Sequence, residues 1–354
     1  MILCVAGDPG GSRAVLPVAE ELWRQGKTVI IPRHGTLAQE LPTFMGESTC
    51  EEEEAFALLP QCEALVFGSS TNDTYPLSLA RAAQAQGTVV MHVLDNWGSY
   101  QHRLCSDSLP PLAPDIYTVI DEESRRDAER EGVPAASLVI TGQPGLAAVA
   151  DALENRLRSR KKSTTHKNER LNLGFISEPF AMVFGRDCQI EGHPGFTEET
   201  VLASLCKNLA PHAGTCTLSL LPHPKQRVED VTQLWERVRG PLEGEVLSLP
   251  RGRDILPMVS GVVGMASILL YEAWLGGIPV LSMQPNCQWP SLRRFASLEG
   301  INYACTDENI TNAVGAWLAQ SRVAVPSPRP ELFLHKNAPQ KAAEILLQRM
   351  RNAL

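Results

Sequence analysis

Three stretches of the sequence combine residue types and spacings that suit chemistry on an anionic or sugar-like ligand. The first is Gly7-Asp8-Pro9-Gly10-Gly11-Ser12, between an apolar run and an amphipathic one. Glycines let the backbone turn tightly against a ligand, and a following helix offers unpaired N–H groups to an anion. The spacing is not G-x-G-x-x-G, so the turn either borders a ligand through Gly10 and Gly11 or is an ordinary tight turn. The second is Leu220-Leu221-Pro222-His223-Pro224-Lys225, where an aliphatic run ends in a histidine framed by prolines. Their fixed φ angles present the His223 imidazole rigidly beside Pro224 and Lys225, which suits a phosphate or pyrophosphate. In the third, Gly264-Met265-Ala266-Ser267 opens a helical pattern that Ser267 is placed to cap, with Glu272 a little over one turn further on among apolar residues. A carboxylate there needs a partner, either a sugar hydroxyl or ribose diol, or an arginine such as Arg253 or Arg293.

Strand ends must position these groups, and the sequence supplies strands. Short apolar runs at 2–6, 28–32, 64–67, 88–93, 116–120 and 137–141 alternate with helical patterns at 13–25, 75–86 and 122–131. The alternation resumes with strands at 171–176, 216–221, 244–249, 261–264 and 279–283 and helices at 198–209, 228–238, 269–275 and 309–320. This is the βαβ signature of parallel sheets covered by helices. Between the halves, residues 155–170 hold 7 Lys or Arg among 16 residues and read as a basic linker or exposed loop. The expected organisation is an α/β protein of two Rossmann-like domains facing across a cleft. Residues 1–154 form the first, 171–335 the second, and 336–354 an amphipathic helix able to pack on either half.

With 44% hydrophobic and 20% charged residues in 354, the chain excludes disordered, collagen-like and coiled-coil classes. A net charge of −8 argues against a nucleic-acid binder, since a phosphate backbone calls for concentrated positive charge. Nine scattered cysteines without a C-x-x-C pair fit neither a zinc site nor a disulfide framework. The first residues reach their glycine turn too soon for a signal peptide, and the uncharged run 255–271 is broken by Pro257, Gly261 and Gly264. A cytoplasmic location is expected, with the inner membrane face as an alternative.

In element order the chain resembles the GT-B superfamily of nucleotide-sugar glycosyltransferases and the related UDP-N-acetylglucosamine 2-epimerases. VFGSSTNDTYPLSLARAAQAQGTVVMHVLDN is similar to the epimerase segment running from a strand-end Asp through a helix to an acidic strand end. PDIYTVIDEESRRDAEREGVPAASLVITGQP is similar to the next strand–helix–strand unit, and His223-Pro224 resembles the His-Pro step that meets donor phosphate in bacterial transferases. GMASILLYEAWLGGIPVLS resembles the donor-site turn and helix, in which a Ser or Thr meets phosphate and a Glu the sugar or ribose. Glu178 in FISEPF and the segment GHPGFTEETV resemble features of surface-polysaccharide transferases. Epimerases carry a Gly-Gly turn and a Glu pair where this chain has Met265-Ala266 and Glu272 alone.

The leading expectation from this resemblance is a glycosyltransferase of surface polysaccharide or glycoconjugate synthesis. It takes a nucleotide sugar as donor substrate, with no cofactor and no metal, there being no D-x-D element. Its acceptor is a glycan, lipid-linked or protein group, and peripheral membrane contact is expected with it. Donor binding falls to Gly10, Gly11, Pro224, Lys225, Gly264, Ser267 and Glu272, and leaving-group stabilisation to His223. Asp95, after the strand 88–93, is either the general base or the cap of the next turn. Asp73, His92 and Asp8 are the substitutes. The alternatives are a 2-epimerase and a non-catalytic nucleotide-binding subunit.

Overall fold

The computed structural model describes residues 1–353 except 47, 70–72, 107–108, 151–169, 324–326 and 328, with backbone alone at 295–297 and 353. The basic segment therefore lies outside the described residues, apart from Arg170, which pairs with Glu243 at 2.6 Å. The chain divides into two compact units, Met1–Asp151 with Glu331–Leu354, and Ala152–Pro330.

The first unit is built on seven parallel strands in the order β3-β2-β1-β4-β5-β6-β7. These are β1 (Ile2–Val5), β2 (Val29–Pro32), β3 (Thr49–Cys50), β4 (Ala64–Phe67), β5 (Val89–Val93), β6 (Ile116–Val119) and β7 (Leu138–Ile140). Helices α1 (Pro9–Arg24), α2 (Gly35–Gln39), α3 (Glu52–Leu58), α4 (Tyr75–Ala85) and α5 (Glu122–Arg130) connect them. Because successive strand residues point to opposite faces, the central strands fill two cores. Leu3, Val5, Leu65 and Phe67 pack on one face, and Ile2, Cys4, Ala64 and Val66 on the other. Burial on both faces is what makes the strand sequences continuously apolar rather than alternating.

The second unit has six parallel strands in the order β10-β9-β8-β11-β12-β13. They are β8 (Leu171–Ile176), β9 (Cys216–Leu221), β10 (Glu243–Val246), β11 (Gly261–Gly264), β12 (Val280–Met283) and β13 (Ile301–Ala304). Its helices are α6 (Phe180–Phe184), α7 (Glu198–Leu209), α8 (Val228–Val238), α9 (Ile268–Leu275) and α10 (Asp307–Val323). The run 255–271 begins at the last residue of a short 3-10 turn (Gly252–Ile255) and passes through β11 into the first turn of α9. Among the described residues no helix is long and apolar enough to cross a membrane.

The chain returns to the first unit at Glu331, earlier than the 336 expected, through α11 (Glu331–Lys336) and α12 (Ala338–Ala353). His335 explains the boundary, since it is fully buried and its Nδ1 accepts the Gln143 N–H at 3.0 Å. Ala342, Ala343, Leu346 and Met350 of α12 complete the core beside α1, covering sheet surface that would otherwise face water. Both halves are thus Rossmann-like, and the edge strands β3 and β13 with helices α2, α3, α6 and α11 are elements the sequence reading does not anticipate.

Candidate functional site

In open parallel sheets, ligands bind beyond the carboxyl ends of strands, where the strand order reverses direction. In the first unit that point lies between β1 and β4, so the turn after β1 borders it. Helix α1 begins at Pro9, earlier than the expected 13, because Asp8 caps it by accepting the Gly11 N–H at 2.7 Å. Gly10 and Gly11 therefore sit in the first helical turn rather than in an open loop. A Cβ on Gly10 would collide with the Asp95 carboxylate, and one on Gly7 with that of Asp73. The glycines of this turn make room for the protein's own carboxylates, where the sequence reading expects donor phosphate.

Asp95 lies just past β5, and Arg103 Nη1 donates to its Oδ1 at 2.6 Å with both side chains only 14% exposed. Burial pushes its carboxyl up, the Arg103 charge pulls it back, and Asp8 adds to the rise. Its backbone oxygen accepts from Gln143 Nε2 at 2.9 Å, so the same Gln143 that meets His335 braces the Asp95 backbone. Asp95 is thus a buried acid with one cationic partner at a strand end, an environment suited to proton transfer. His92, one of its substitutes, is fully buried with Nε2 2.9 Å from Ser69 Oγ, and burial holds its imidazole well below the ordinary range. It is a neutral core histidine.

The other carboxylate at this turn, Asp73, takes part in an arrangement the sequence reading misses. Asp73 Oδ2 lies 2.7 Å from His34 Nε2, and His34 Nδ1 lies 2.9 Å from Glu52 Oε1. Asp73 Oδ1 also accepts the Tyr75 N–H at 3.1 Å. Burial alone would lower the imidazole, yet its hydrogen bonds to Asp73 and Glu52 raise it above the ordinary value. His34 follows the expected strand 28–32 directly, so the strand-end argument applied to His223 finds it too. Arg103 and Glu52 carry no such signal, because chain folding alone brings them to Asp95 and His34.

In the second unit the order reverses between β8 and β11, and the turn after each strand meets the other. Glu178, just past β8, accepts the Met265 and Ala266 N–H groups at 3.2 and 2.8 Å. These amides open the turn that the sequence reading gives to a donor phosphate. Burial nevertheless pushes Glu178 up to about 7, against the backbone hydrogen bonds and with help from Glu198. Ser267 caps α9 as expected, its Oγ accepting the Leu269 N–H at 3.3 Å. Glu272 is buried with Arg253 Nε at 3.9 Å, the ion-pair alternative for that residue.

His223, two residues past the end of β9, is half-buried, and its Nδ1 accepts the Lys225 N–H at 3.1 Å, which leaves the proton on Nε2. Burial and then the Lys225 charge lower its pKa, so the ring is a neutral donor at pH 7. Lys225 borders a cavity of about 470 Å³ with Gln226, Arg227 and Arg237, and Pro224 holds the backbone between the two candidates. Among the described residues no group of three or more His, Cys, Asp or Glu is arranged to hold a metal ion.

No protein-family model matches the chain, and no curated protein matches it. Solved structures do. The UDP-GlcNAc 2-epimerase from Methanocaldococcus jannaschii is similar over 98% of this chain and 99% of its own, with a TM-score of 0.66 and 11% identity. That from Neisseria meningitidis, bound to UDP-GlcNAc, covers 98% and 99% at 0.62 and 14%. The Rickettsia bellii 2-epimerase covers 99% and 97% at 0.60 and 14%. The fold is GT-B-like, as the resemblance implied. These whole-length neighbours are 2-epimerases, which overturns the glycosyltransferase reading and backs the epimerase alternative better. Strand–turn–helix motifs that hold a nucleotide are common to both activities, so they could not tell them apart.

Proposed function

We propose that the chain is a sugar-nucleotide 2-epimerase acting on UDP-GlcNAc or a close analogue. Inversion at C2 breaks the C2–H bond, its electron pair forms a C1=C2 bond, and the C1–O bond breaks to release UDP. Returning the proton to the opposite face of C2, with UDP re-adding at C1, completes the reaction. Such a reaction needs positioned proton-transfer groups near neutral pH. The observation that carries the reading is the pair Asp73 and Asp95, set against Gly7 and Gly10 of one turn beside the β1/β4 reversal. Each has its own basic partner, His34 and Arg103 respectively. Asp95, pushed up by burial, is assigned the proton-donating half and Asp73 the proton-accepting half.

Within the second unit, the His223 Nε2–H and Lys225 are the groups that suit a phosphate, since the amides after Gly264 already engage Glu178. A neutral imidazole donor and a lysine charge suit an anionic oxygen. The test is incubation with UDP-GlcNAc in D2O without any acceptor. The expected product is the C2 epimer carrying deuterium at C2, and Asp95→Asn should lower its rate by about 10²–10⁴-fold, the range for general acid–base groups. Substrate recovered unchanged and undeuterated, with UDP binding intact, would refute the epimerase reading.

A further inference from the structure

We infer that His34 is a positioning residue, held as an imidazolium between Asp73 and Glu52, whose task is to fix the orientation of the Asp73 carboxylate over Gly7. The inference rests on the epimerase reading, in which Asp73 accepts the substrate proton. The geometry states the charge. Both ring nitrogens lie within 2.9 Å of carboxylate oxygens, which only accept, so both nitrogens must donate. A neutral ring would leave one nitrogen lone pair against a carboxylate. The side chain is only 18% exposed, and the Tyr75 ring lies 4.3 Å from it, tilted by 32°, so the imidazolium has little freedom to swing away.

The clamp is tied down from several elements. Tyr75 Oη donates to the Glu52 backbone oxygen at 2.9 Å, linking α4 to α3. The Thr36 N–H donates to the Gly7 oxygen at 2.9 Å, fixing the loop that carries His34 to the β1 turn. Gly35 and Gly7 approach so closely that a Cβ on Gly35 would strike the Gly7 backbone. The titratable groups facing His34 are Asp73 after β4, Glu52 of α3 and Tyr75 of α4. The Arg33–Glu51 pair, at 2.8 Å, is on the flanks. Two carboxylates at hydrogen-bond distance with one cation between them form a unit in which loss of the imidazolium proton removes the charge that orients Asp73. A purely structural histidine would serve as well neutral.

The test measures kcat and KM for UDP-GlcNAc epimerisation across pH 6–10 in the wild type, His34→Gln, His34→Ala and Glu52→Gln, with thermal melts as folding controls. The expected result for His34→Gln is a kcat at least tenfold lower, a KM within twofold, and disappearance of the alkaline fall in kcat that the wild type shows. Glu52→Gln should move that alkaline limb to lower pH, and imidazole added to His34→Ala should restore part of kcat. In parallel, the His34 ring resonance should titrate above its ordinary value in the wild type and shift down in Asp73→Asn. A folded His34→Gln with wild-type kcat and an unchanged pH profile overturns the role of His34 while leaving the epimerase reading intact. A wild type that binds UDP but never exchanges C2 hydrogen overturns the epimerase reading and this role with it. A ring resonance titrating alike in wild type and Asp73→Asn overturns the clamp whatever the activity.

Discussion

Replacing Glu178 by glutamine tests which of two opposed effects governs the turn between β8 and α9. Backbone N–H groups donated to a carboxylate favour its charged form, and two or three of them can hold a carboxyl below its usual range. Here Met265 and Ala266 donate, yet burial outweighs them and the group is pushed up from an ordinary 4.5 to about 7. A native-state pKa above the unfolded one means the folded chain binds the proton more tightly. The associated stability is fully present below 4.5 and lost as pH rises through about 7. That difference corresponds to about 3 kcal/mol at most. Because Glu178 keeps some solvent contact, about 1–2 kcal/mol is the working expectation. Glutamine keeps an oxygen to accept from both amides and removes the charge. Urea unfolding, followed by hydrogen exchange in the second unit, should therefore find Glu178→Gln more stable than the wild type by about 1–2 kcal/mol at pH 8.5 and indistinguishable from it near pH 5. A variant less stable than the wild type by 1 kcal/mol or more at pH 8.5 would mean that the amides stabilise the charge by more than burial penalises it.

Arg103→Met removes the partner of the buried Asp95 carboxylate, which should cost about 3–5 kcal/mol of first-unit stability at pH 8 and less in acid, where protonation relieves the unpaired charge; denaturation at pH 8 and in acid checks the difference. His335 is held down to about 4 by burial, so its contribution is complete above about pH 6.5 and falls away as pH drops towards 4. First-unit stability should decline over that window by up to about 3 kcal/mol in the wild type and stay flatter in His335→Leu, opposite in sign to the Glu178 effect in the second unit. Leu346→Ala, at a fully buried position of α12, should cost about 2–5 kcal/mol and lower the melting temperature of the first unit with it.

The sequence by itself determined the fold class and most of its elements, because buried parallel strands read as short continuous apolar runs and their helices as amphipathic ones. It also pointed to strand ends as candidate positions, since Asp95, His223 and the turns after Gly7 and Gly264 lie within two residues of such runs. It left out β3 and β13, edge strands with little apolar pattern of their own, and α3, whose acidic start in Glu51-Glu52-Glu53-Glu54 reads as loop. Which half the last helix covers was undecided in its pattern, because any apolar stripe satisfies any apolar face, and only packing put Leu346 beside α1. The partners of the site were likewise a tertiary matter. Asp73 meets a histidine 39 residues away in sequence, Glu178 meets amides 87 and 88 residues on, and Gln143 meets His335 across 192. Hydrogen bonding and charge act over a few ångströms of space, with no memory of sequence separation. A glycine in the sequence therefore announces that something comes close, and only the folded chain decides that at Gly7 and Gly10 it is the protein's own carboxylates.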